Sequence, residues 1–504
     1  MGSKQVKCGA ILSYILIILN GLYSLFLTPY IIGVLGESAY GVYKTISSFT
    51  ASLMILDLGL GGTMMRYIAK YRADQETEKI PNFIFMGMIQ AGAVCTVSGI
   101  VMMILYHFLD AVYANGLTAA ELVNAKQLYV FLAAGIIVHI VENLLNGVIA
   151  GYNKFIVSNG IKVIRLIVRI LAVIVFLGIF RHSVVLVVID LVCSVLCVAV
   201  ELFYILFVLK TKVRFTHWDK DVFHESFGYT ILLFLTSIVA QANSNLSNVV
   251  IGSRLSSSAV TVYSMALLIF GMYEQLSTAI SSVMLPTITQ TLKEDDRSYS
   301  KTLSVVLDAG RIQYLLLGAL LVGFTLLGKA FVDVWLGDGF QDVYYLVLIL
   351  IGPALLELCV NVCLSILRAK NMLGFRTAVI TVFTILNLVI TVTGISHIGY
   401  YSAAIGTAFS FFFGSVVTMG VYYYKKLGIN LLGIYRRIFS GIWICLLVSG
   451  IATSAVLFVF RDSLCRLISG FIVFCLVYAV TLMGFGLTPQ EKNIILSKVR
   501  IHKK

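Results

Sequence analysis

The chain has 504 residues, of which 59% are hydrophobic and only 12% charged, and its mean hydropathy is +0.97. Lys and Arg outnumber Asp and Glu by 37 to 24, a formal net charge of +13. This composition excludes an ordinary soluble domain and predicts an all-α polytopic membrane protein, since a span needs about 20 mostly apolar residues.

Fourteen apolar segments of that length begin near residues 9, 41, 81, 126, 155, 183, 226, 259, 302, 342, 374, 401, 437 and 463. The first follows Lys4 and Lys7 and runs on to Gly33 without a small-residue cleavage site, so it reads as a retained span and not as a cleaved signal. In the second, Lys44 lies one turn from the outer end and reads as a snorkelling residue, while Asp57 in LDLGLGG either pins a glycine-loosened gate or caps a helix break.

The fifth segment contains NGIKVIRLIVRILAVIVFLGIF at 159–180. Lys162, Arg165 and Arg169 stand at i, i+3 and i+7, one stripe of a helix whose other faces are Ile, Val, Leu and Phe. A cation left in lipid costs about 2.5–3.5 kcal/mol at mid-bilayer, so the stripe needs water, a ligand or an acid. With the helix starting near Phe155, Arg169 lies about 21 Å in at 1.5 Å per residue, too deep to snorkel easily. Two readings follow. Either the stripe faces an anionic ligand in a wet cleft, or it pairs with Glu142, Asp190 or Glu201 and only holds helices together.

Further along, Gln241, Asn245 and Asn248 share one stripe of span 7, where amides suit sugar hydroxyls and equally suit interhelical bonding. Glu274 in span 8 and Glu357 in span 10 have no charged residue one turn away. They are read either as sites for a coupling H⁺ or Na⁺ or as hydrogen-bonded structural carboxyls. Asp308 and Arg311 in span 9 are spaced to pair at i, i+3. Nine Cys are scattered along the spans, and the one-turn spacing of Cys193 with Cys197 and of Cys359 with Cys363 marks packing residues, neither metal ligands nor disulfides.

Placing both termini in the cytoplasm puts 26 of the 37 Lys and Arg on the inner side, six outside and five within spans. The basic balance is then topology and contact with anionic membrane lipid, and no nucleic acid is called for. No GxxxxGK[ST] phosphate loop, HExxH motif or clustered Cys/His set occurs, so neither an ATP-driven machine, a catalytic residue set nor a metal centre is expected. A membrane polymerase or ligase for polysaccharide, working through short outer loops, is the enzyme alternative.

The chain also echoes itself. IIGVLGESAYGVY at 31–43 returns as VIGSRLSSSAVTVY at 250–263, with Ser38, Ala39, Val42 and Tyr43 matched by Ser258, Ala259, Val262 and Tyr263. Asn143 and Asn153 are matched by Asn361 and Asn371 at nearly the same offset. A duplicated six-helix unit is expected: an N-terminal lobe over 1–215, a C-terminal lobe over 216–430, and two additional helices with a basic cytoplasmic tail over 431–504.

LGESAYGVYKTISSF at 35–49, followed by LDLGLGGTMMRYIAKY at 56–71, resembles the opening of the polysaccharide flippases. These belong to the superfamily that also holds multidrug and toxin extrusion transporters and the flippase for the peptidoglycan lipid precursor. The resemblance covers most of residues 9–430. It implies two six-helix lobes in a V around a cavity that opens alternately to either side of the bacterial cytoplasmic membrane. It also implies an undecaprenyl-pyrophosphate-linked oligosaccharide as substrate, with glycosyltransferases and a polymerase as pathway neighbours. The family carries no strict catalytic signature, so site residues rest on this sequence alone. A multidrug antiporter of the same superfamily is the nearer alternative, although a cationic stripe repels the usual cationic drugs.

Overall fold

The computed structural model describes residues 2–53, 59–211, 213–215, 245–294, 299–369, 372–460, 463–488 and 491–492, and every regular element among them is helical. In hydrocarbon each backbone N–H and C=O must be satisfied within its own segment, which is why such long apolar runs become helices. The chain divides into two compact units, Met1–Ser264 and Met265–Lys504.

The first unit contains α1 (Gly2–Leu35), α2 (Glu37–Ser52), α3 (Leu60–Ala73), α4 (Ile80–Tyr113), α5 (Ala119–Gly151), α6 (Phe155–Phe180), α7 (Val184–Phe203), α8 (245–254) and the first turns of α9 (Ser257–Glu294). Its sequence echoes open α2 and α9. The second unit contains the rest of α9, then α10 (Tyr299–Leu336), α11 (Gln341–Cys359), α12 (Val362–Ala369), α13 (Leu373–Ile398) and α14 (Tyr401–Phe409). It continues with α15 (Met419–Leu427), α16 (Leu431–Phe439), α17 (Ile442–Leu457) and α18 (Ser463–Thr481).

Eleven helices among the described residues are long and apolar enough to cross a membrane, or twelve if α16 and α17, bent by 49°, form one span. The expected count of fourteen differs from this at two segments. The segment beginning near residue 41 is divided into α2 and α3, of 16 and 14 residues, each shorter than a membrane crossing requires. Gly59, at φ 68°, starts α3 in a left-handed conformation that glycine adopts without cost. The segment beginning near 226 opens in residues outside those described.

Small residues set the approach of α3 to α5. A Cβ at Gly147 would run into the Gly61 backbone, and one at Gly61 would run into Asn143, so the two helices cross with their main chains in contact. That crossing fixes the rotation of α5 and hence the direction of its polar residues. The core of this unit is built on fully buried Tyr40, Tyr67, Tyr113 and Tyr129 with Ile68, Leu128 and Ile140.

Helix α6 presents three faces. Ile164, Leu171, Val175 and Ile179 are 54–66% exposed and form an apolar outer face suited to lipid, whereas Ser158, Leu166, Val173 and Leu177 are buried. The cation stripe occupies the third.

In the second unit Arg311 corrects an expectation. It does not form its main ion pair with Asp308; it donates from Nε and Nη2 to Glu491 at 2.9 and 3.2 Å, and to the carbonyls of Arg437, Ser440 and Gly486 at 3.0–3.2 Å. Five hydrogen bonds, two to a carboxylate and three to carbonyls at the α16–α17 bend and beyond α18, outweigh a local pair of the kind worth about 0.2–0.5 kcal/mol.

Candidate substrate cavity

The first unit holds an open cavity of about 510 Å³ walled by α1, α2, α5, α6 and α7. Lys162, Arg165 and Arg169 all line it, so the spacing in α6 places the three cations together on one wall.

The two arginines also meet acids. Arg165 donates from Nη1 to Glu142 Oε1 and from Nη2 to Ser194 Oγ, both at 2.6 Å. Arg169 donates from Nη2 to Asp190 Oδ2 at 2.8 Å, its Nε pairs with the other oxygen of the same carboxylate, and its guanidinium lies 4.8 Å from the Tyr23 ring centre. Lys162 is exposed and forms no ion pair among the described residues. The acid pairing expected of the structural reading is present for both arginines, and the same side chains line the cavity. Each arginine has five N–H donors, and the acids and Ser194 take only some of them. Among the residues that line the cavity are three cations and two acids, and Lys162 is the cation with no ion pair among the described residues.

Sequence reasoning missed the polar groups that complete the cavity: Asn20 on α1, Ser47 and Thr50 on α2, His139 on α5 and Ser194 on α7. A signal was present. His139, Glu142 and Asn146 stand at i, i+3 and i+7 of α5, the spacing of the α6 stripe, and Asp190, Ser194 and Glu201 stand at i, i+4 and i+11 of α7. Three polar stripes of matched pitch on consecutive apolar spans mark surfaces that face one another.

The remaining expected residues lie elsewhere. Asn248 is buried and committed to helix contacts, donating to Ser48 Oγ at 2.9 Å and accepting from Ser264 Oγ at 3.4 Å; neither it nor Asn245 lines the cavity. Gln241 and Asp57 fall outside the described residues. Glu357 accepts from Arg376 Nη2 at 3.4 Å in a small recess with Asn361, Ser415 and Tyr423. Glu274 is half-buried on α9 in the second unit. Lys44 lies 5.6 and 6.0 Å from the ring centres of Tyr40 and Tyr43, an aromatic setting for the cation.

Residues 34–345 match the model of a family described as polysaccharide biosynthesis protein. A candidate O-antigen transporter of Salmonella typhi is 23% identical over 266 residues, covering 51% of this chain and 59% of that protein, so the chain spans less than two thirds of that relative's length. The uncharacterized membrane protein EpsK of Bacillus subtilis (strain 168) is 20% identical over 512 residues, 96% of each chain. Among solved structures, the lipid II flippase MurJ superposes with a TM-score of 0.72 at 12% identity, covering 94% of this chain and 97% of that one, a likeness of fold.

Proposed function

The chain belongs to the polysaccharide biosynthesis protein family, among the polysaccharide flippases of the multidrug/oligosaccharidyl-lipid/polysaccharide exporter superfamily, and from that premise we propose that it moves undecaprenyl-pyrophosphate-linked oligosaccharide units from the inner to the outer leaflet of the bacterial cytoplasmic membrane. The observation that carries the reading is the cavity wall in which Lys162, Arg165 and Arg169 outnumber Glu142 and Asp190. A pyrophosphate crossing a low-dielectric layer needs fixed, pre-oriented cations to offset its desolvation, and planar guanidinium groups bind phosphate oxygens in pairs. Lys162, in no ion pair among the described residues, attracts the headgroup, and the two arginines then engage it. The same positive excess weighs against export of cationic drugs. Both termini face the cytoplasm in this reading, with glycosyltransferases supplying the substrate and a polymerase consuming the product. Gln241, Asn245 and Asn248 toward sugar, Glu274 and Glu357 toward a coupling H⁺ or Na⁺, and Asp57 at a gate are secondary proposals.

The test is transport by the purified full-length protein in liposomes loaded with a fluorescent undecaprenyl-pyrophosphate disaccharide, read by quenching of outer-leaflet label. Lys162→Gln is expected to slow flipping about tenfold, as for a lost charge-assisted contact worth about 1.5 kcal/mol. Unchanged flipping in Lys162→Gln would overturn the assignment, and transport of a cationic dye in preference to the lipid would favour drug extrusion.

A further inference from the structure

From residue 358 to residue 461 the chain carries no Asp or Glu, yet Lys425, Lys426, Arg436 and Arg437 stand close together in it, where one span ends and the next begins. Helix α15 closes the span over Tyr401–Leu427, Gly428 turns the chain at φ 70°, and Asn430 caps α16 by accepting from the Gly433 N–H at 3.3 Å. Nine residues of α16 rise only about 14 Å and bend from α17 by 49°, so the four cations lie on one face of the membrane. All four are exposed, and none forms an ion pair among the described residues. Unpaired cations of this kind mark the boundary of the hydrocarbon, since within it they would be costly. Helix α16 has two faces. Leu431, Ile434, Tyr435 and Ile438 are buried at i, i+3, i+4 and i+7, and Tyr435 donates to the Leu356 carbonyl at 2.9 Å. The other face carries Leu432, 81% exposed, then Arg436 one turn later with Arg437 beside it. The arginine side chains are not needed to close the helix, because the carbonyls of Arg437 and Ser440 already accept from Arg311 Nη1 at 3.1 and 3.2 Å.

We propose that α16 and the end of α15 form a binding site for an anionic phospholipid of the adjoining leaflet. Arg436 and Arg437 take the headgroup phosphate, Lys425 and Lys426 attract it, and Leu432 meets the start of the acyl chains. Planar guanidinium groups bind phosphate oxygens in pairs. An exposed leucine one turn from an arginine, about 6 Å along the axis, suits a molecule whose charge and hydrocarbon adjoin, whereas a soluble anion leaves that leucine in water. Four cations with no acid in the same stretch favour an anionic headgroup over a zwitterionic one, whose amine they repel. The site is also held in place: Arg311 binds the end of α16 and Glu491 together, so the lipid meets pre-placed donors. By the charge asymmetry of the chain this leaflet is the cytoplasmic one, where anionic lipid is concentrated. The site is independent of what the cavity carries.

The test uses the purified full-length protein in detergent, with Trp218→Phe and Trp335→Phe so that Trp443, 50% exposed in the first turn of α17, is the remaining fluorophore. Phosphatidylglycerol with brominated acyl chains is titrated in, and quenching is compared with that by brominated phosphatidylcholine. Phosphatidylglycerol is expected to quench at the lower mole fraction. Arg436→Gln/Arg437→Gln is expected to raise the mole fraction needed about 25-fold, two basic residues near an anionic surface contributing about fivefold each. Arg436→Lys/Arg437→Lys should recover part of the loss. Lys126→Gln/Arg466→Gln removes the same charge elsewhere and should leave the titration unchanged. Equal quenching of the wild type by the two lipids, an unchanged titration in the Arg→Gln variant, or an equal loss in the Lys126/Arg466 variant overturns the site. Displacement of the brominated lipid by a far lower mole fraction of an undecaprenyl-pyrophosphate disaccharide also overturns it, by assigning these cations to the transported lipid. If the Arg→Gln variant fails to fold, Lys425→Gln/Lys426→Gln carries the same comparisons.

Discussion

Replacement of Arg169 by Ala separates recognition from scaffolding. The Arg169–Asp190 pair is two-pronged, with side chains 23% and 29% exposed, and the guanidinium lies over the Tyr23 ring. Removing one partner of a fully buried pair costs about 3–5 kcal/mol because the other charge is stranded. Here roughly a quarter of each side chain meets the wet cavity, so water takes up part of that penalty and about 2 kcal/mol is expected, with under 1 kcal/mol more from the lost cation–π contact. Loss of a guanidinium–phosphate contact costs about 1.5–3 kcal/mol in binding, or roughly 10- to 100-fold in transport at low substrate. The assay pairs thermal melting of the detergent-purified protein with liposome flipping for Arg169→Ala, Arg169→Lys and the double variant Arg169→Ala/Asp190→Asn. The double variant is expected to regain the melting temperature and not the transport, and Arg169→Lys to recover transport only in part, since it restores charge without the planar fork. Recovery of both stability and transport in the double variant would falsify the reasoning, for Arg169 would then serve only to neutralise Asp190.

Three further outcomes are expected. In a background lacking the exposed Cys465 and Cys475, a single Cys at Lys79 or Lys425 reacts with an impermeant thiol reagent only after permeabilisation, while one at Asp338 reacts in intact cells; the reverse pattern inverts the orientation. Burial works to raise the Glu491 carboxyl, but the hydrogen bonds from Arg311 and Thr488 outweigh it and hold the group below its ordinary value of 4.5. A depressed acid stabilises above its unfolded value and loses that contribution as pH falls through the folded one, so the melting difference between wild type and Glu491→Gln should be full at neutral pH and shrink progressively below about pH 4.5. A difference that grows on acidification contradicts this sign. Gly147→Ala forces a Cβ into the Gly61 backbone and is expected to cost about 1–3 kcal/mol, seen as lower yield and melting temperature, whereas Gly160→Ala, with open space around it, should be neutral.

The sequence by itself determined the solvent and the local geometry. Apolar runs of membrane length and a low charged fraction dictate spanning helices, because backbone groups in lipid can be satisfied in few other ways. Helical pitch alone puts Lys162, Arg165 and Arg169 on one face, and all three line one cavity. Helical pitch says nothing about which neighbour a face meets. Arg165 finds Glu142 from 23 positions earlier, and Arg169 finds Asp190 from 21 positions later. Glu201 finds Asn146 from 55 positions later. Where local spacing and tertiary packing competed, packing won: Arg311 passes over Asp308, three residues away, for Glu491, 180 residues away. A local pair is worth a few tenths of a kcal/mol, while a buried guanidinium must have its donors satisfied, and only the assembled second unit brings two carboxylate oxygens and three carbonyls within reach of one side chain.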